Sequence, residues 1–353
     1  MIKRFDEAAY LRLIRGEVRG PAASLARFGL SLAGKAYAIG AAYRNAAYDS
    51  GRKPVYRPEI PVVSVGNLTL GGTGKTPMVE WVSRWFRARD VRVAILSRGY
   101  GQENGVNDEA LVLEENLLDV PHLQGADRAD LARRAHEELE SQILVLDDGF
   151  QHRRLARDLD IALLDALEPF GLGKIFPRGL LREPVRSLKR AQVVVLSRAD
   201  LVEPDARHRI RQEAERQAGP IAWVEARHAP VAVADAEGQT TDLSTLAGKR
   251  VVAFCGIGNP EGFRRTLQPL CGNLVDFKVF PDHHPYSAED VASLGTWAQG
   301  QGAELALTTQ KDSVKLRALT LNSIPLRYLR IGLEVMQGEA TLEGALEPLL
   351  PRE

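Results

Sequence analysis

A β-branched strand that runs into a glycine-rich turn and then a Lys-Thr pair constrains this chain more than any other feature. Residues 62–77 read Val-Val-Ser-Val-Gly-Asn-Leu-Thr-Leu-Gly-Gly-Thr-Gly-Lys-Thr-Pro. Glycines let backbone N–H groups approach phosphate oxygens, and the helix that follows directs its positive end at them. Lys75 adds a charge, and the Thr76 hydroxyl can bind Mg²⁺. The sequence therefore predicts a nucleoside triphosphate site at this turn.

The turn is a variant of the usual loop. In the pattern G-x-x-x-x-G-K-[ST] the first glycine falls where this chain has Thr69. A glycine-rich turn without a ligand is the alternative, but such a turn does not require Lys-Thr at the start of a helix. The predicted nucleotide-binding residues are Thr69, Gly71, Gly72, Thr73, Gly74, Lys75 and Thr76.

Composition limits the class of protein. A chain of 353 residues with 44% hydrophobic content suits two packed domains. The 46 Lys and Arg residues balance 46 Asp and Glu residues, so no overall field attracts nucleic acid. Cys255 and Cys271 lie outside any Cys-x-x-Cys pattern, which fits a reducing compartment. No cleavable signal or bilayer-spanning apolar run is visible, so we expect a cytoplasmic protein.

Charge is uneven at the N-terminus, where residues 1–53 hold ten Lys or Arg residues and four Asp or Glu residues. The segment 22–48 is amphipathic when it is drawn as a helix. One face groups Leu25, Phe28, Leu32, Ala36, Ile39 and Tyr43, and the opposite face groups Arg27, Ser31, Gly34 and Asn45. The apolar face can lie in a membrane headgroup layer or pack on the protein's own core, and this segment alone does not decide between them.

Beyond the turn, short apolar strands alternate with helical stretches. The predicted strands are 61–65, 91–96, 143–146, 161–164, 193–197, 221–224, 251–255, 274–279, 305–308 and 326–329. Such alternation predicts an α/β fold of the P-loop NTPase type, with a mostly parallel sheet covered by helices on both faces. A polar stretch at 225–248 predicts a boundary between a domain at 1–228 and a second, smaller α/β domain at 229–353.

A second chemical signal is a buried strand that ends in two adjacent carboxylates, Asp147 and Asp148, followed by Gly149. This arrangement resembles a Walker B strand, in which a carboxylate orients Mg²⁺. An Asp-Asp-Gly sequence alone is an ordinary turn. Together with the glycine-rich loop it favours a metal site.

Other polar clusters follow predicted strands, where ligands gather in open α/β sheets. They are Ser97-Arg98-Gly99-Tyr100, Asn107-Asp108-Glu109, Asp282-His283-His284 and Thr309-Gln310-Lys311-Asp312. Adjacent histidines on an extended chain point apart, so a His paired with a carboxylate is favoured over zinc. Ser197-Arg198-Ala199-Asp200 is only faintly similar to a guanine-reading motif, and we infer no GTP specificity from it.

Jointly these motifs resemble one family, the tetraacyldisaccharide 4′-kinases of lipid A biosynthesis. The resemblance spans roughly residues 40–315. Its motifs, in family order, are Gly66-Asn67-Leu68-Thr69-x-Gly71-Gly72-Thr73-Gly74-Lys75-Thr76-Pro77, Ser97-Arg98-Gly99-Tyr100, Asp108-Glu109, Asp147-Asp148-Gly149-Phe150-Gln151-His152, Asp158-Leu159-Asp160, Leu181-Arg182-Glu183-Pro184, Asp282-His283 and Lys311-Asp312. The same variant loop occurs in that family.

The resemblance implies transfer of the γ-phosphate of ATP to the 4′-hydroxyl of a tetraacyldisaccharide 1-phosphate. It implies Asp108, His283 and Lys75 as catalytic residues, with Asp108 as the base and His283 as its partner. It further implies Mg²⁺ ligation by Thr76, Asp147, Asp148 and Glu183, and substrate contacts by Arg98, Tyr100, Gln151, His152 and Arg182. The acceptor keeps its acyl chains in the bilayer, so the resemblance favours a peripheral location on the cytoplasmic face of the inner membrane, reached through the helix at 22–48. We infer no nucleic acid and no obligate protein partner.

Three departures from the family pattern are Asn107, Arg178-Gly179-Leu180 and Gln310. The second concerns substrate contacts and the third a secondary polar contact, whereas the phosphate-binding residues are unaffected. The alternative from another class is a nucleotide-switch ATPase or GTPase of the partition or metallochaperone type, whose loops are similar. Such a protein does not require Asp108 and His283 together.

Overall fold

The computed structural model describes residues 7–99, 108–282, 284–316 and 320–351, with the backbone alone for Glu7, Ala8 and Asp108. The strands are β1 Val62–Asn67, β2 Val93–Ser97, β3 His122–Gln124, β4 Ile143–Asp147, β5 Leu159–Asp165, β6 Val193–Ser197, β7 Ala222–Ala234, β8 Thr240–Thr241, β9 Val251–Cys255, β10 Leu274–Val279, β11 Leu305–Thr309, β12 Thr320–Leu321 and β13 Ile324–Gln337. The α-helices are α1 Glu7–Arg15, α2 Pro21–Asp49, α3 Lys75–Arg87, α4 Asp108–Asn116, α5 Arg128–Glu137, α6 Pro204–Ala218, α7 Pro260–Cys271, α8 Ala288–Gly300, α9 Gln310–Leu316 and α10 Glu339–Leu346. Short 3₁₀ segments lie at Gly171–Gly173, Val185–Arg190, Ala199–Leu201, Leu243–Leu246 and Glu347–Leu349.

The strands join in one continuous sheet in the order β10-β9-β11-β13-β7-β6-β5-β1-β4-β2-β3, with β12 beside β13 and β8 beside β7. Neighbours pair in parallel, except that β13 runs antiparallel to β7 and β12, and β8 runs antiparallel to β7. Each predicted strand corresponds to an observed strand, and the predicted fold class is confirmed. The short strands β3, β8 and β12 have no counterpart among the predictions.

Helices cover both faces of the sheet, as expected for strands that are apolar on both sides. Every residue of β1, β2, β4 and β6 is buried. We call the part of the sheet from β7 to β3 the first half and the part from β10 to β13 the second half. On one face of the first half, α3, α4 and α10 complete a core with these strands. On the other face, α5 and α6 and the 3₁₀ segment Val185–Arg190 complete two further clusters. In the second half, α7 and α8 pack on β9 and β11.

The two halves of the sheet are joined by the long antiparallel pair of β7 and β13. The predicted domain boundary after residue 228 falls inside β7, so the division into two domains stays a prediction. The chain end also returns to the first half, because Leu342 and Leu346 of α10 belong to the core formed with α3. The indole Nε1 of Trp85 in α3 donates to Glu343 Oε1 at 2.8 Å. The prediction of a second domain at 229–353 did not include this contact between α10 and α3.

Helix α2 packs on the protein through its small and polar face. Ala23, Gly34 and Ala47 are its buried residues, and a Cβ added at Gly34 would lie 3.1 Å from the carbonyl oxygen of Ile175. The opposite face is exposed, with exposed fractions of 71% for Leu25, 61% for Phe28, 52% for Leu32, 71% for Ile39 and 70% for Tyr43. The apolar stripe therefore does not pack on the protein's own core. Among the described residues, no helix has the length and hydropathy needed to span a membrane.

Candidate active site

The glycine-rich turn connects β1 to α3 and is held by side chains from several strands. Asn67 Nδ2 donates to Thr73 Oγ1 at 2.8 Å, which ties the two ends of the turn together. Ser197 Oγ at the end of β6 donates to the carbonyl oxygen of Thr73 at 2.8 Å. Arg198 Nη2 donates to the carbonyl oxygen of Gly72 at 2.7 Å. Side chains from the end of β1 and from the end of β6 therefore hold the turn at Gly72 and Thr73.

Glycine is required at the last position of the turn. Gly74 caps α3 with φ of +86°, a left-handed conformation that costs a residue with a side chain about 1–2 kcal/mol. A Cβ there would also lie 2.3 Å from Nε2 of His228 in β7. The next two residues, Lys75 and Thr76, form the first turn of α3. Their backbone N–H groups lie at the positive end of the helix, which attracts phosphate.

The two carboxylates at the end of β4 lie in different electrostatic surroundings. Burial, with the Glu109 charge adding to it, raises the pKa of Asp147 to about 6, although Lys75 partly opposes this. Burial alone would also raise the pKa of Asp148, but the charges of Lys75 and Arg182 outweigh it and the net shift is downward. Asp148 is therefore the carboxylate held ionised by the protein. Within the described part of the chain, Asp147 Oδ1 is buried and has no hydrogen-bond partner.

Asp148 links the glycine-rich turn to the segment before Glu183. Its Oδ1 lies 3.6 Å from Lys75 Nζ, and Arg182 Nη1 lies 2.9 Å from Oδ1 and 2.8 Å from Oδ2. Arg182 Nη1 also lies 3.2 Å from Gln151 Oε1, and Gln151 Nε2 donates to the carbonyl oxygen of Asn67 at 2.8 Å. The predicted site residues Lys75, Asp148, Gln151 and Arg182 are thus brought together. We call these four residues the strand-end cluster.

Glu183, a predicted metal ligand, contacts a different set of groups. Its carboxylate is fully buried, with Oε2 at 2.8 Å from Arg190 Nη2 and 3.2 Å from Asn45 Nδ2. Oε1 lies 3.5 Å from Arg44 Nη2. Arg44 and Asn45 belong to α2, so this carboxylate joins the N-terminal helix to the body of the protein. Arg44 is paired with Oε1 by charge alone, because Oε1, like Asp147 Oδ1, has no hydrogen-bond partner within the described residues.

Two further predicted substrate residues, Arg98 and His152, lie at the same edge of the sheet. Arg98 follows β2 and is exposed. His152 follows the carboxylate pair, and burial together with the nearby Arg128 charge lowers its pKa to about 4, so it is neutral at pH 7. Tyr100 lies outside the described residues.

The second half of the sheet is connected to the site by contacts between α9, which follows β11, and α4 of the first half. Lys311 Nζ lies 2.6 Å from Glu109 Oε1, and Gln310 Nε2 donates to Glu115 Oε2 at 2.8 Å. Because the Glu109 charge acts on Asp147, the start of α4 lies near the end of β4. Asp108 is the first residue of α4, but its side chain lies outside the description, as does all of His283.

His284, next to His283 in the chain, pairs with a carboxylate, since its Nε2 lies 3.2 Å from Asp290 Oδ2. This contact agrees with the expectation of a His–carboxylate pair in this segment. Among the described side chains, no group of three or more His, Cys, Asp or Glu residues gathers as a metal site. Mg²⁺ does not need such a group, because it is commonly bound by one or two carboxylates, substrate phosphates and water.

Comparison with known proteins decides the family. Residues 26–350 match the model of the LpxK family, described as tetraacyldisaccharide-1-P 4′-kinase. The chain is 42% identical over 351 residues to the tetraacyldisaccharide 4′-kinase of Anaeromyxobacter sp. (strain K), covering 94% of this chain and 93% of that protein. It is 37% identical over 324 residues to the same enzyme of Syntrophus aciditrophicus, covering 85% and 87%. This chain belongs to the tetraacyldisaccharide-1-phosphate 4′-kinase family.

A solved structure agrees with this assignment. LpxK from Aquifex aeolicus in complex with ATP is similar with a TM-score of 0.73 and 26% identity, covering 92% of this chain and 99% of that one. The predictions of the family, of an ATP-dependent kinase of lipid A biosynthesis and of its fold class are confirmed.

Two arginines of this kinase site were missed from the sequence. Arg128 begins α5 and is buried, and its charge lowers the pKa of both Asp148 and His152. Arg198 forms an ion pair with Asp165 and binds the turn at Gly72. The Asp127 that caps α5 signals a helix start, but nothing local shows that the next residue faces the site. Arg198 lies in the segment Ser197-Arg198-Ala199-Asp200, which was considered above only for its similarity to a guanine-binding motif.

Proposed function

We propose that the glycine-rich turn, Lys75 and Asp148 hold MgATP and that Asp108 activates the 4′-hydroxyl of the acceptor. The observation that carries this proposal is the convergence of Lys75, Asp148 and Arg182 beside the start of α3, next to the unpartnered oxygen of Asp147. Phosphoryl transfer needs little covalent help, so positioning and charge neutralisation supply most of the catalysis. Lys75 and the N–H groups of residues 71–76 would bind the β- and γ-phosphates.

The donor set fits Mg²⁺. A hydroxyl at the start of α3, on Thr76, and two carboxylates at the end of β4 are the oxygen ligands this ion prefers. The buried Oδ1 of Asp147 has no partner within the described residues, and a cation beside it would satisfy it. When bound, Mg²⁺ would neutralise negative charge on the phosphates. We assign Thr76, Asp147 and Asp148 to this ion, directly or through water. Glu183 is either a further ligand or a residue that positions Arg182, and the two roles are distinguished by the magnesium titration described below.

Asp108 is proposed as the general base, with His283 as the residue that orients it and adjusts its pKa. Support comes from neighbours in the chain. Glu109 pairs with Lys311 of α9, and its charge raises the pKa of Asp147, so the start of α4, where Asp108 stands in the chain, lies near both α9 and Asp147. We further propose that Arg98, Tyr100, Gln151 and His152 bind the acceptor, with Arg182 between acceptor and Asp148.

We also propose that the exposed face of α2 lies in the membrane surface where the acceptor is held. Leu25, Phe28, Leu32 and Ile39 form a continuous apolar stripe directed away from the protein. Charge attraction plays a smaller part than the sequence indicated, because Arg27 donates to the carbonyl oxygen of Val18 and Arg44 pairs with Glu183. The enzyme would act peripherally on the cytoplasmic face of the inner membrane.

The deciding experiment measures ATP turnover with and without tetraacyldisaccharide 1-phosphate in mixed micelles, and mass spectrometry identifies the product. We expect turnover that depends strictly on the acceptor, with one phosphate added at the 4′ position. Equal turnover without the acceptor would favour the nucleotide-switch alternative and remove the assigned role of Asp108. A panel of other amphipathic sugars defines the acceptor range.

A further inference from the structure

The buried carboxylate of Glu183 lies between α2 and the strand-end cluster. It is fully buried and contacts Arg190, Asn45 and Arg44, as described above. A buried charge without partners costs several kcal/mol, so these groups are required for Glu183 to remain where it is. Two of them come from α2, the helix whose opposite face is exposed and apolar.

The residue before Glu183 belongs to the site itself. The backbone N–H of Arg182 donates to the carbonyl oxygen of Leu68 at 2.7 Å, beside the glycine-rich turn, while its side chain holds both oxygens of Asp148. Neighbouring residues on this segment therefore bind opposite partners, with Arg182 on the phosphate-site side and Glu183 on the α2 side. Any shift of Glu183 moves the backbone that carries Arg182.

A second connection runs from α2 to the turn after β4. Arg153 donates to the carbonyl oxygen of Asn45 at 3.0 Å and to Asp49 Oδ1 at 2.7 Å. On the same turn, the ring of Phe150 lies 4.4 Å from the guanidinium of Arg190. Arg190 therefore contacts Glu183 and also the chain that follows Asp148. The end of α2 is thus fixed to both segments that supply the strand-end cluster.

We propose that Glu183 is a positioning residue, which uses Arg44 and Asn45 of α2 to hold Arg182 against Asp148. The membrane-facing helix is then a structural part of the phosphate site as well as an attachment to the bilayer. This inference rests on the proposed function, because Asp148 and Arg182 must act in phosphoryl transfer. The role of metal ligand that the family resemblance implied for Glu183 is the alternative, and the magnesium titration below distinguishes the two.

The first test compares Arg44→Met with Arg27→Met. Both remove an arginine from the packed face of α2. Among the described residues, however, Arg27 contacts the carbonyl oxygens of Leu13 and Val18 and Ser24 Oγ, and it does not contact Glu183. With saturating ATP and acceptor in micelles, we expect Arg44→Met to lower kcat roughly ten- to hundredfold, as a misplaced catalytic group does. Arg27→Met should stay within about twofold, and Arg44→Lys should recover part of the loss. Equal kcat values for Arg44→Met and Arg27→Met would overturn the proposal.

A double-mutant cycle separates positioning from general destabilisation. In an Arg182→Met background, adding Arg44→Met should lower kcat by no more than about twofold, because the contact that Arg44 supports is already gone. Losses that multiply would show that Arg44 acts independently of Arg182, which contradicts the proposal. Arg44→Met leaves Arg190 and Asn45 on Glu183, so the variant retains two partners for the buried charge. If it still unfolds, Asn45→Ala takes its place in the cycle.

Magnesium titration distinguishes the two roles of Glu183. For Glu183→Gln we expect lower kcat with an unchanged Mg²⁺ concentration at half-maximal activity, as for Arg44→Met. A Mg²⁺ requirement raised tenfold or more in Glu183→Gln alone would identify a metal ligand and overturn the inference. Failure of the proposed function would be seen separately, as wild-type enzyme that transfers no phosphate to the acceptor.

Discussion

The two halves of the sheet end their parallel strands in different ways. In the first half, β1 and β4 end in a glycine-rich turn and in Asp147, whose Oδ1 has no partner among the described residues. In the second half, the buried carboxylate of Asp312 follows β11, and its Oδ2 accepts from the N–H of Gly256 at 2.9 Å and from Thr309 Oγ1 at 2.7 Å. Its Oδ1 also makes no hydrogen bond among the described residues, but it lies 3.1 Å from the charged Nζ of Lys315. Both oxygens of Asp312 therefore have partners within the protein, one by hydrogen bonds and one by an ion pair, whereas Oδ1 of Asp147 has neither within the described part of the chain. A strand end of the second kind can take a ligand, and one of the first kind stabilises the fold.

The largest effect expected from this difference concerns two lysines. Lys75→Ala should lower kcat/KM on the order of 10³-fold or more, because it removes a cation from the transferred phosphate. Its stability should change little, since Arg182 still holds Asp148. Lys315→Met should do the reverse, because Lys315 lies 3.1 Å from the buried Asp312 and its loss costs about 3 kcal/mol of stability. Turnover and urea unfolding of both variants check this.

Two outcomes contradict that comparison. Full activity in Lys75→Ala would remove the phosphate site from the first half. A loss of turnover in folded Lys315→Met as large as that in Lys75→Ala would show that the second half takes part in the chemistry directly. Lys249→Ala, at an exposed position in the second half, serves as the neutral reference.

The next effect tests the base. Asp108→Asn should lower kcat by about 10²–10⁴-fold with little change in ATP affinity, as expected for loss of a general base from a preassembled phosphate site. His283→Ala should cost less, and the double variant should lose less than the product of the single losses. Single-turnover kinetics measure each. Asp119→Asn, beyond the other end of α4, is the matched control, and a comparable loss in that variant would indicate disruption of α4 instead of loss of a base.

A smaller effect concerns stability and pH. Burial raises the pKa of Asp147 from 3.8 to about 6, so the folded protein holds this proton more tightly than the unfolded chain. Its contribution to stability is fully present below pH 3.8 and is lost as pH rises through about 6. The loss amounts to about 3 kcal/mol without Mg²⁺. Relative to Asp147→Asn, wild type should therefore lose stability between pH 4 and pH 7.

The neighbouring carboxylate provides the control for that measurement. The pKa of Asp148 is lowered by Lys75 and Arg182, although burial opposes them. The contribution of Asp148 to stability is present above the pKa that this group has in the unfolded chain. It is lost only as pH falls through the lower pKa of the folded protein. The free energy of unfolding of Asp148→Asn, measured by denaturant titration, should therefore change with pH almost as that of wild type does between pH 5 and pH 7. Identical slopes for Asp147→Asn and Asp148→Asn would show that the two carboxylates have equivalent surroundings.

Much of the first half was predictable because its signals are local. The turn at residues 62–77 carries its own strand, glycines and helix start, and the strand before Asp147 is a continuous apolar run. The strands β7 and β13 were predicted only at 221–224 and 326–329, whereas they span Ala222–Ala234 and Ile324–Gln337. Their extensions pair with each other across about a hundred residues of chain, and no local pattern reveals hydrogen bonds between such distant segments.

Helix α2 shows a different limit. The sequence predicted the helix and its apolar stripe correctly, but periodicity alone does not say which face meets the protein. That is decided by Gly34, which lets the helix approach the carbonyl oxygen of Ile175, and by the pairing of Arg44 with Glu183. Neither partner is near α2 in the chain. The same reasoning applies to Glu183, whose motif indicated a metal site but whose contacts with Arg44, Asn45 and Arg190 are not revealed by any local pattern.

The smallest effect tests the exposed face of α2 as a membrane surface. Phe28→Ser/Leu32→Ser should weaken binding to anionic phospholipid vesicles by about ten- to a hundredfold and raise KM for a bilayer-presented acceptor. Full burial of both side chains is worth roughly 3–6 kcal/mol, and partial insertion realises only part of that. Because both side chains are exposed in the protein, the unfolding midpoint and ATP affinity should stay unchanged.

Leu118→Ser/Leu139→Ser removes two exposed leucines away from α2 and should bind vesicles like wild type. Added salt should weaken binding only modestly, since Arg27 and Arg44 already contact the protein and Lys35 remains exposed on α2. Unchanged vesicle binding in the Phe28/Leu32 variant would mean that another surface meets the bilayer, and α2 would then act on the site only through Glu183.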